Sequence, residues 1–405
     1  MTASSSDSPE RTHSSSSRRS LPSGIWVLGL VSMFMDTSSE LVHSLLPLFM
    51  TTVLGASIIT IGMFEGFAEA TASVTKVFSG AISDYFGKRK LPAVLGYGLS
   101  ALTKPLFPLA TAIGWVFAAR FIDRIGKGIR DAPRDALIAE LVAEESRGAA
   151  YGLRQSLDSI GAFAGPMLAL TFMALFANDI KAVLWVAVLP ACISVLLLVL
   201  GVNEPVKSGK SADPHNRLTL ADSGLLSRSY WRVVALGSVL TLARFSDAFL
   251  LLRARDIGLT AGYVPLIMVV MNVVYAALSY PAGRAADRFH PRQLLIPGTA
   301  VLIAADIVLA IARTPLVALS GAGLWGAHMA LTQGLLSKLI ADTAPEELRG
   351  TAFGLFNLIS GCALLLSSVI AGTLWSIYGA SATFIAGAIF AGLASVGLLF
   401  YKTKS

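Results

Sequence analysis

The sequence predicts an all-α integral membrane protein in which twelve transmembrane helices form two pseudo-symmetric six-helix bundles. Three observations carry this expectation. The 405 residues are 54% hydrophobic and 14% charged, against roughly 25% charged in soluble domains. The apolar residues gather into twelve runs, each near the roughly 20 residues that a bilayer crossing requires. The second half of the chain also repeats motifs of the first.

Residues 1–20 are Ser-rich and polar, which predicts a disordered cytoplasmic leader. Arg18 and Arg19 superficially match a twin-arginine signal. They read better as a basic flank that keeps the N-terminus inside. No cleavable signal peptide is expected, because the first apolar run is longer than an h-region of roughly 7–15 residues. The spans run about 25–53, 57–83, 91–110, 114–134, 149–174, 180–201, 231–253, 261–284, 293–312, 316–338, 350–375 and 379–401. A first bundle over 21–202 and a second over 230–401 are joined by a polar linker, 203–229, with a short amphipathic piece near Leu218–Leu226; residues 402–405 form a tail.

An even number of crossings returns the C-terminus to the side of the N-terminus. Basic residues collect in the loops of that side: Lys88, Arg89 and Lys90; Arg134 and Arg147; Lys207, Lys210, Arg217 and Arg228; Arg288 and Arg292; Arg349. The other side holds little beyond Lys181, Arg253, Arg255 and Arg313. The bias places both termini in the cytoplasm, as in a multi-pass protein of a bacterial inner membrane. The net charge of +7 is therefore topology, and nucleic acid is not an expected partner. Cys192 and Cys362 lie in apolar runs and read as packing residues; no disulfide or metal site is expected. Trp26, Trp115 and Trp231 sit at span ends, as interfacial belt residues do.

The repeat is explicit. Gly80-Ala-Ile-Ser-Asp84-Tyr-Phe-Gly87-Lys88-Arg89 is echoed by Gly283-Arg-Ala-Ala-Asp287-Arg-Phe-His290-Pro291-Arg292. Ile138-Ala-Glu140, with Glu145-Ser-Arg147-Gly148-Ala-Ala-Tyr-Gly152, is echoed by Ile340-Ala-Asp342, with Glu347-Leu-Arg349-Gly350-Thr-Ala-Phe-Gly354, at nearly the same offset. A repeat about an axis along the membrane normal puts a solute site between the halves, near the midplane.

These residues resemble the major facilitator superfamily over roughly 21–401. Gly80, Asp84, Gly87 and Arg89 match its loop signature between helices 2 and 3, and Gly283, Asp287 and Arg292 are a second copy with His290 in place of the last glycine. The resemblance implies an inner gate latch, in which Asp84 faces a helix N-terminus and Arg89 pairs with a carboxylate. Arg120-Phe-Ile-Asp-Arg-Ile-Gly126-Lys-Gly128 is similar to the family's fourth-helix signature, whose arginine is associated with proton coupling. Asp123, Arg124 and Lys127 depart from it. Gly152, Gly161, Gly165 and Pro166 resemble the fifth-helix antiporter motif, with Ala169-Leu170 replacing its closing glycines. Glycines at such spacing allow close helix approach, and the proline bends the helix.

Charge inside apolar spans marks function by default, since one Arg, Lys or Asp at mid-bilayer costs roughly 2.5–3.5 kcal/mol. Arg120, Asp123, Arg124 and Lys127 share one helix face, as do Asp36, Glu40 and His43 on the first span and Glu65, Glu69 and Lys76 on the second. Lys104, Arg154, Asp158, Arg244, Asp247, Asp306 and His328 add to them. A carboxylate that exchanges its cation partner between two conformations binds and releases a proton. Asp36 and Glu40 are the coupling candidates, with Arg120 as exchangeable partner, and Glu65 and Glu69 follow. Fixed buried pairs are the competing reading, and Arg154 with Asp158 reads as such a pair. Lys104, Arg124, Lys127 and Arg244 would give a solute cavity a positive field that favours anions, unless Asp123, Asp158 and Asp247 cancel it. Trp325, Gln333 and Asn357 are polar groups that could line the path. His43 and His328 read as hydrogen-bonded helix contacts.

The leading expectation is secondary active transport: a proton-coupled antiporter exporting a small organic, anionic or amphipathic solute. A proton-coupled importer of an anionic nutrient, such as a carboxylate siderophore or vitamin, is the second reading. A non-transporting sensor on the same fold is the third. No phosphate-binding Gly-x-x-x-x-Gly-Lys-Ser/Thr loop occurs, which argues against ATP drive. No enzymatic activity, cofactor or metal is expected; the expected partners are a solute, protons and the lipid bilayer, around a monomer.

Overall fold

The computed structural model describes residues 21–86, 89–143, 146–203, 226–289, 291–345 and 348–400. Among them lie fifteen α-helices. In the first half these are α1 (Ser23–Thr52), α2 (Ile58–Phe86), α3 (Lys90–Thr103), α4 (Leu106–Leu109), α5 (Ile113–Leu141), α6 (Arg147–Leu175), α7 (Ile180–Val186) and α8 (Val188–Gly201). In the second they are α9 (Arg228–Ala243), α10 (Ala248–Asp256), α11 (Leu266–Arg288), α12 (Pro291–Ile311), α13 (Pro315–Thr343), α14 (Arg349–Tyr378) and α15 (Ala380–Phe400). The leader, most of the linker with its amphipathic piece, and the tail fall outside the described residues.

Three spans are broken. The third divides at Lys104-Pro105, where a residue without an N–H cannot continue the ladder. The sixth divides at Ala187, three residues before Pro190. The seventh divides at Arg244–Asp247 with no proline at all. There Arg244 leaves the helical region at φ −110°, ψ 83°, and the Ser246 hydroxyl accepts the Ala248 N–H at 3.2 Å to start α10.

Eight helical segments are long and apolar enough to cross a membrane on composition alone. Among those that fall short are α2 and α5, and both do so because of their charged side chains. Arginines 120, 124, 130 and 134 of α5 are buried, so its polarity points into the protein.

The helix contacts of the first half recur in the second. Helix α1 packs on α6 and α8, α3 on α5, and α2 on α5; correspondingly α9 packs on α14 and α15, α12 on α13, and α11 on α13. The halves meet along α2 with α14 and α6 with α11. At the first seam Gly66 brings the chains within a backbone's width: a Cβ there would lie 2.9 Å from Leu365 Cα.

Burial of side chains is uneven between the two ends of the molecule. One apolar cluster, at the end away from the termini, draws from both halves, including Leu45, Phe49, Phe64 and Val183 with Phe249, Leu251, Ile267 and Ala322. At the end carrying the termini each half keeps its own cluster: Ile25, Leu28, Ile138 and Leu198 in one, Tyr230, Val233, Ile340 and Leu398 in the other. Trp26, Trp115 and Trp231 face outward at span ends, as belt residues should. Cys192 and Cys362 are exposed free thiols, which corrects the expectation that they pack inside.

Candidate functional site

The break in the seventh span lies against the charged helices of the first half. Ser246 donates its hydroxyl to Glu65 Oε2 of α2 across 3.5 Å, a contact between the halves. Glu65 Oε2 also accepts from Arg120 Nη2 of α5 at 3.4 Å and meets His43 Nε2 of α1 at 3.6 Å. The other imidazole nitrogen, Nδ1, is 3.6 Å from Glu40 Oε2. Glu65 and Arg120 are each 1% exposed, whereas the Glu40 side chain is 29% exposed. Glu65 Oε1 has no partner among the described residues. Four elements thus converge on one carboxylate, seven residues (roughly 10 Å) into both α2 and α5.

A ladder of ion pairs descends from this point along α5 toward the termini. Arg124 Nη1 meets Glu69 Oε1 at 3.3 Å. Lys104 Nζ donates to Asp123 Oδ1 at 3.0 Å and to Ser39 Oγ at 3.1 Å. Arg130 lies 3.9 Å from Asp36 and from Asp131, donates to Ser100 Oγ at 2.8 Å, and stacks over the Tyr97 ring. Arg134 reaches Asp131, Asp135 and Ser32; Arg154 reaches Asp135 at 3.0 Å and Asp158 at 2.6 Å. From Arg120 to Asp135 the ladder covers sixteen residues of α5, a rise of roughly 22 Å.

Several sequence expectations change here. Arg120 was expected to be the exchangeable partner of Asp36 and Glu40; it pairs with Glu65, while Asp36 sits beside Arg130 and Glu40 beside His43. Lys104 and Asp123 were expected to line the solute cavity. They are 0% and 3% exposed and hold each other inside the first half. Trp325 is fully buried among Phe245 and its neighbours and lines no path in this conformation. His43 is more than a helix contact, since it bridges two carboxylates, whereas His328 is the expected one, its Nδ1 2.8 Å from Gly298 O. Arg154 and Asp158 form the expected pair.

Lys127, Arg244, Asp247 and Asn357 are half-buried. No ion pair joins Arg244 to Asp247 among the described residues, and Arg244 Nε has no acceptor there. The side chain of Gln333 lies outside the described residues, as do Gly87, the surroundings of Gly80, and the side chains of Asp84, Asp287 and Arg292. Of the two gate motifs, Arg89 is placed: its Nε donates to Glu140 Oε1 at 3.2 Å, tying the start of α3 to the end of α5. Gly283 has open space around it.

The fifth-span motif packs as its glycines suggest, with one exception. A Cβ on Gly161 would fall 2.6 Å from Met33 O, and one on Gly165 2.7 Å from Thr37 O, so both let α6 touch α1. Gly152 has nothing within 4 Å and makes no close approach. Pro166 lies inside α6.

Ser246, Arg130, Asp131 and Asp135 are site residues that the sequence reading missed, and Arg134 was read as a loop charge. The i, i+3/i+4 spacing that flagged Arg120 to Lys127 continues through 130, 131, 134 and 135, and would have found them. Arg253, taken for an outer-loop charge, is buried and donates to the carbonyls of Leu309, Ala310 and Ala312, capping α12. A crevice of about 340 Å³ lined by Arg232, Leu236, Val239 and Leu393 lies between α9 and α15 and shares no residue with the network.

Comparison with known proteins agrees with this architecture. The family model of the Major Facilitator Superfamily matches residues 28–253 and 244–405. An uncharacterized MFS-type transporter of Methanocaldococcus jannaschii is 30% identical over 394 residues, covering 94% of this chain and 96% of its own. The class C tetracycline resistance protein of Escherichia coli is 25% identical over 328 residues, covering 77% and 80%. The crystal structure of a D-xylose-proton symporter superposes with a TM-score of 0.74 at 17% identity, covering 93% of this chain and 97% of that one, a likeness of fold alone. With the family model spanning both halves and a full-length relative at this identity, the chain belongs to the Major Facilitator Superfamily and is a multi-pass membrane transporter.

Proposed function

We propose that the protein is a proton-coupled antiporter that exports a small organic solute, anionic or amphipathic, from the cytoplasm. The single observation that carries the coupling is the position of Glu65. Its carboxylate is shared by Arg120 and His43 of one half and by Ser246 of the other. When the halves rock, residues 21–202 against 230–401 about the linker 203–229, the Ser246 contact is the one that must break. Glu65 then exchanges part of its donor set, and a carboxyl that loses donors takes up a proton more readily. His43 links Glu65 to the partly exposed Glu40, which supplies a route between the buried carboxyl and water. Asp36 and Glu69, both partly exposed beside arginines, are secondary proton sites in this scheme.

Lys127 and Arg244, both half-buried, are the cationic groups left to meet a solute, and Asp247 and Asn357 are half-buried too; Arg124 is buried and paired with Glu69. Arg244, which has no ion-pair partner among the described residues, supports an acidic or amphipathic solute. The resemblance of the Gly161–Pro166 motif to antiporters, and a resistance protein among the relatives, support the outward direction. The end carrying the termini is taken as cytoplasmic, in a bacterial inner membrane.

Everted membrane vesicles with an acidified lumen test this. Addition of a transported compound, beginning with tetracycline and a panel of organic acids, should release lumenal protons in proportion to expression. Glu65→Gln should abolish that release. Net uptake of the same compounds into whole cells, rising with expression, would reverse the direction and favour import.

A further inference from the structure

The second half holds one carboxyl that the network above does not use. Asp306 of α12 is fully buried, and neither oxygen has a hydrogen-bond partner among the described residues. Its surroundings are packed and apolar. A Cβ on Gly387 of α15 would lie 2.7 Å from Asp306 Oδ2 and 3.0 Å from Phe245 Cε1, so carboxyl and ring close on one bare stretch of backbone. Phe245 belongs to the α9–α10 break and centres an aromatic cluster, with Trp325, Phe384 and Phe249 at 5.3, 5.4 and 5.5 Å. Trp325 Nε1 is likewise without an acceptor.

The charged groups of the neighbouring elements are engaged elsewhere. On α13, His328 holds Gly298 O, eight residues (about 12 Å) before Asp306 along α12. On α10, Arg253 is taken by two carbonyls of α12, by Ala312 O just past its end, and by Asp256. Helix α15 carries no charged residue, and those of α11 (Arg284, Asp287 and Arg288) and the remaining ones of α13 (Lys338 and Asp342) fall within the last six residues of their helices. Arg244, adjacent to Phe245, makes no ion pair with Asp306.

An isolated carboxylate in such a place costs several kcal/mol, and the group avoids that cost by holding a proton. We propose that Asp306 is a proton-binding site of the second half, occupied in this conformation and emptied when Phe245 and the α9–α10 break move aside. The Oδ–H bond breaks toward water entering the gap, and the carboxylate left behind is solvated by that water. The site stands apart from the Glu65 reading, because it needs neither Glu65 nor a particular solute.

Infrared spectroscopy of the full chain in lipid nanodiscs, through a pH titration, reads this directly. Protein grown on ¹³C-carboxyl aspartate distinguishes aspartic from glutamic acid bands without any substitution. A protonated aspartic acid band should be present at neutral pH in the wild type and in Glu65→Gln, and absent in Asp306→Asn. In Phe245→Ala, with Asp306 intact, the band should disappear at a pH lower by about one unit or more, a tenfold easier proton release. No isotope-shifted acid band in the labelled wild type overturns the site. A band whose titration is the same in Phe245→Ala overturns its link to the break. Loss of the band in Glu65→Gln would mean that the two carboxyls act as one network, against the independence claimed.

Discussion

Asn272 of α11 donates its side-chain amide to the carbonyl of Ala162 on α6, 2.9 Å away. Ala162 stands four residues before Pro166, the position whose carbonyl a proline leaves without its helical N–H. The gap made in one half is thus filled from the other. Asn272→Ala and Pro166→Ala should therefore act on the same bond, the first by removing the donor and the second by restoring the helical competitor. Each should weaken the α6–α11 seam by about 0.6 kcal/mol, at most about 1.7. The double variant should be no worse than either single one. Spin-label distances across that seam measure the shift, and additive effects would refute the shared bond.

Glu65 and Arg120 are both sealed from solvent, so removing one strands the other. Arg120→Gln should cost about 3–5 kcal/mol. Glu65→Gln should cost less, because an uncharged amide still accepts from Arg120. Combining the two should recover part of the loss. Thermal unfolding in detergent gives the comparison; losses that simply add would mean that the two side chains are energetically independent.

Lys104 and Asp123 are held here to be architecture. Lys104→Met alone should cost several kcal/mol, since it leaves Asp123 buried without its cation. Lys104→Met with Asp123→Leu should fold with near-native stability and keep transport. A well-folded double variant that no longer transports would return the pair to the solute path.

The fifth-span glycines differ sharply in surroundings. Gly165→Leu drives a side chain into the backbone of α1 beside Thr37 and Leu41 and should cost about 1–3 kcal/mol, together with loss of transport. Gly152→Leu meets open space and should leave folding intact. Expression level and melting temperature of the two variants decide it.

The apolar runs and the repeated loop motifs made the twelve-span, two-half fold legible, because bilayer thickness constrains length and composition together. Pairings were not legible. Helical spacing shows that Arg120 and Arg124 share a face, but not that Glu65 and Glu69 stand opposite, which depends on how α2 and α5 cross. The fourth span was expected to end near residue 134 and Arg134 was counted with the loop charges; the helix runs on to Leu141 through Pro133, and Arg134 reaches Ser32 in the core. The α9–α10 break has no proline to announce it. Its signal is Ser246-Asp247 ahead of the run Ala248–Leu252, a helix-start pattern masked by the apolar sequence on both sides.

The uneven placement of the apolar clusters carries a consequence for access. Parting the halves at the far end would wet the faces of Phe49, Phe249 and Leu251, which now shield one another. Among the described residues nothing comparable is shared where the termini lie. On that asymmetry the empty transporter should rest with its vestibule facing the termini, and a membrane-impermeant reagent should label Glu40→Cys from that face while sparing it from the other. Occupancy by solute or proton is what must tip that preference.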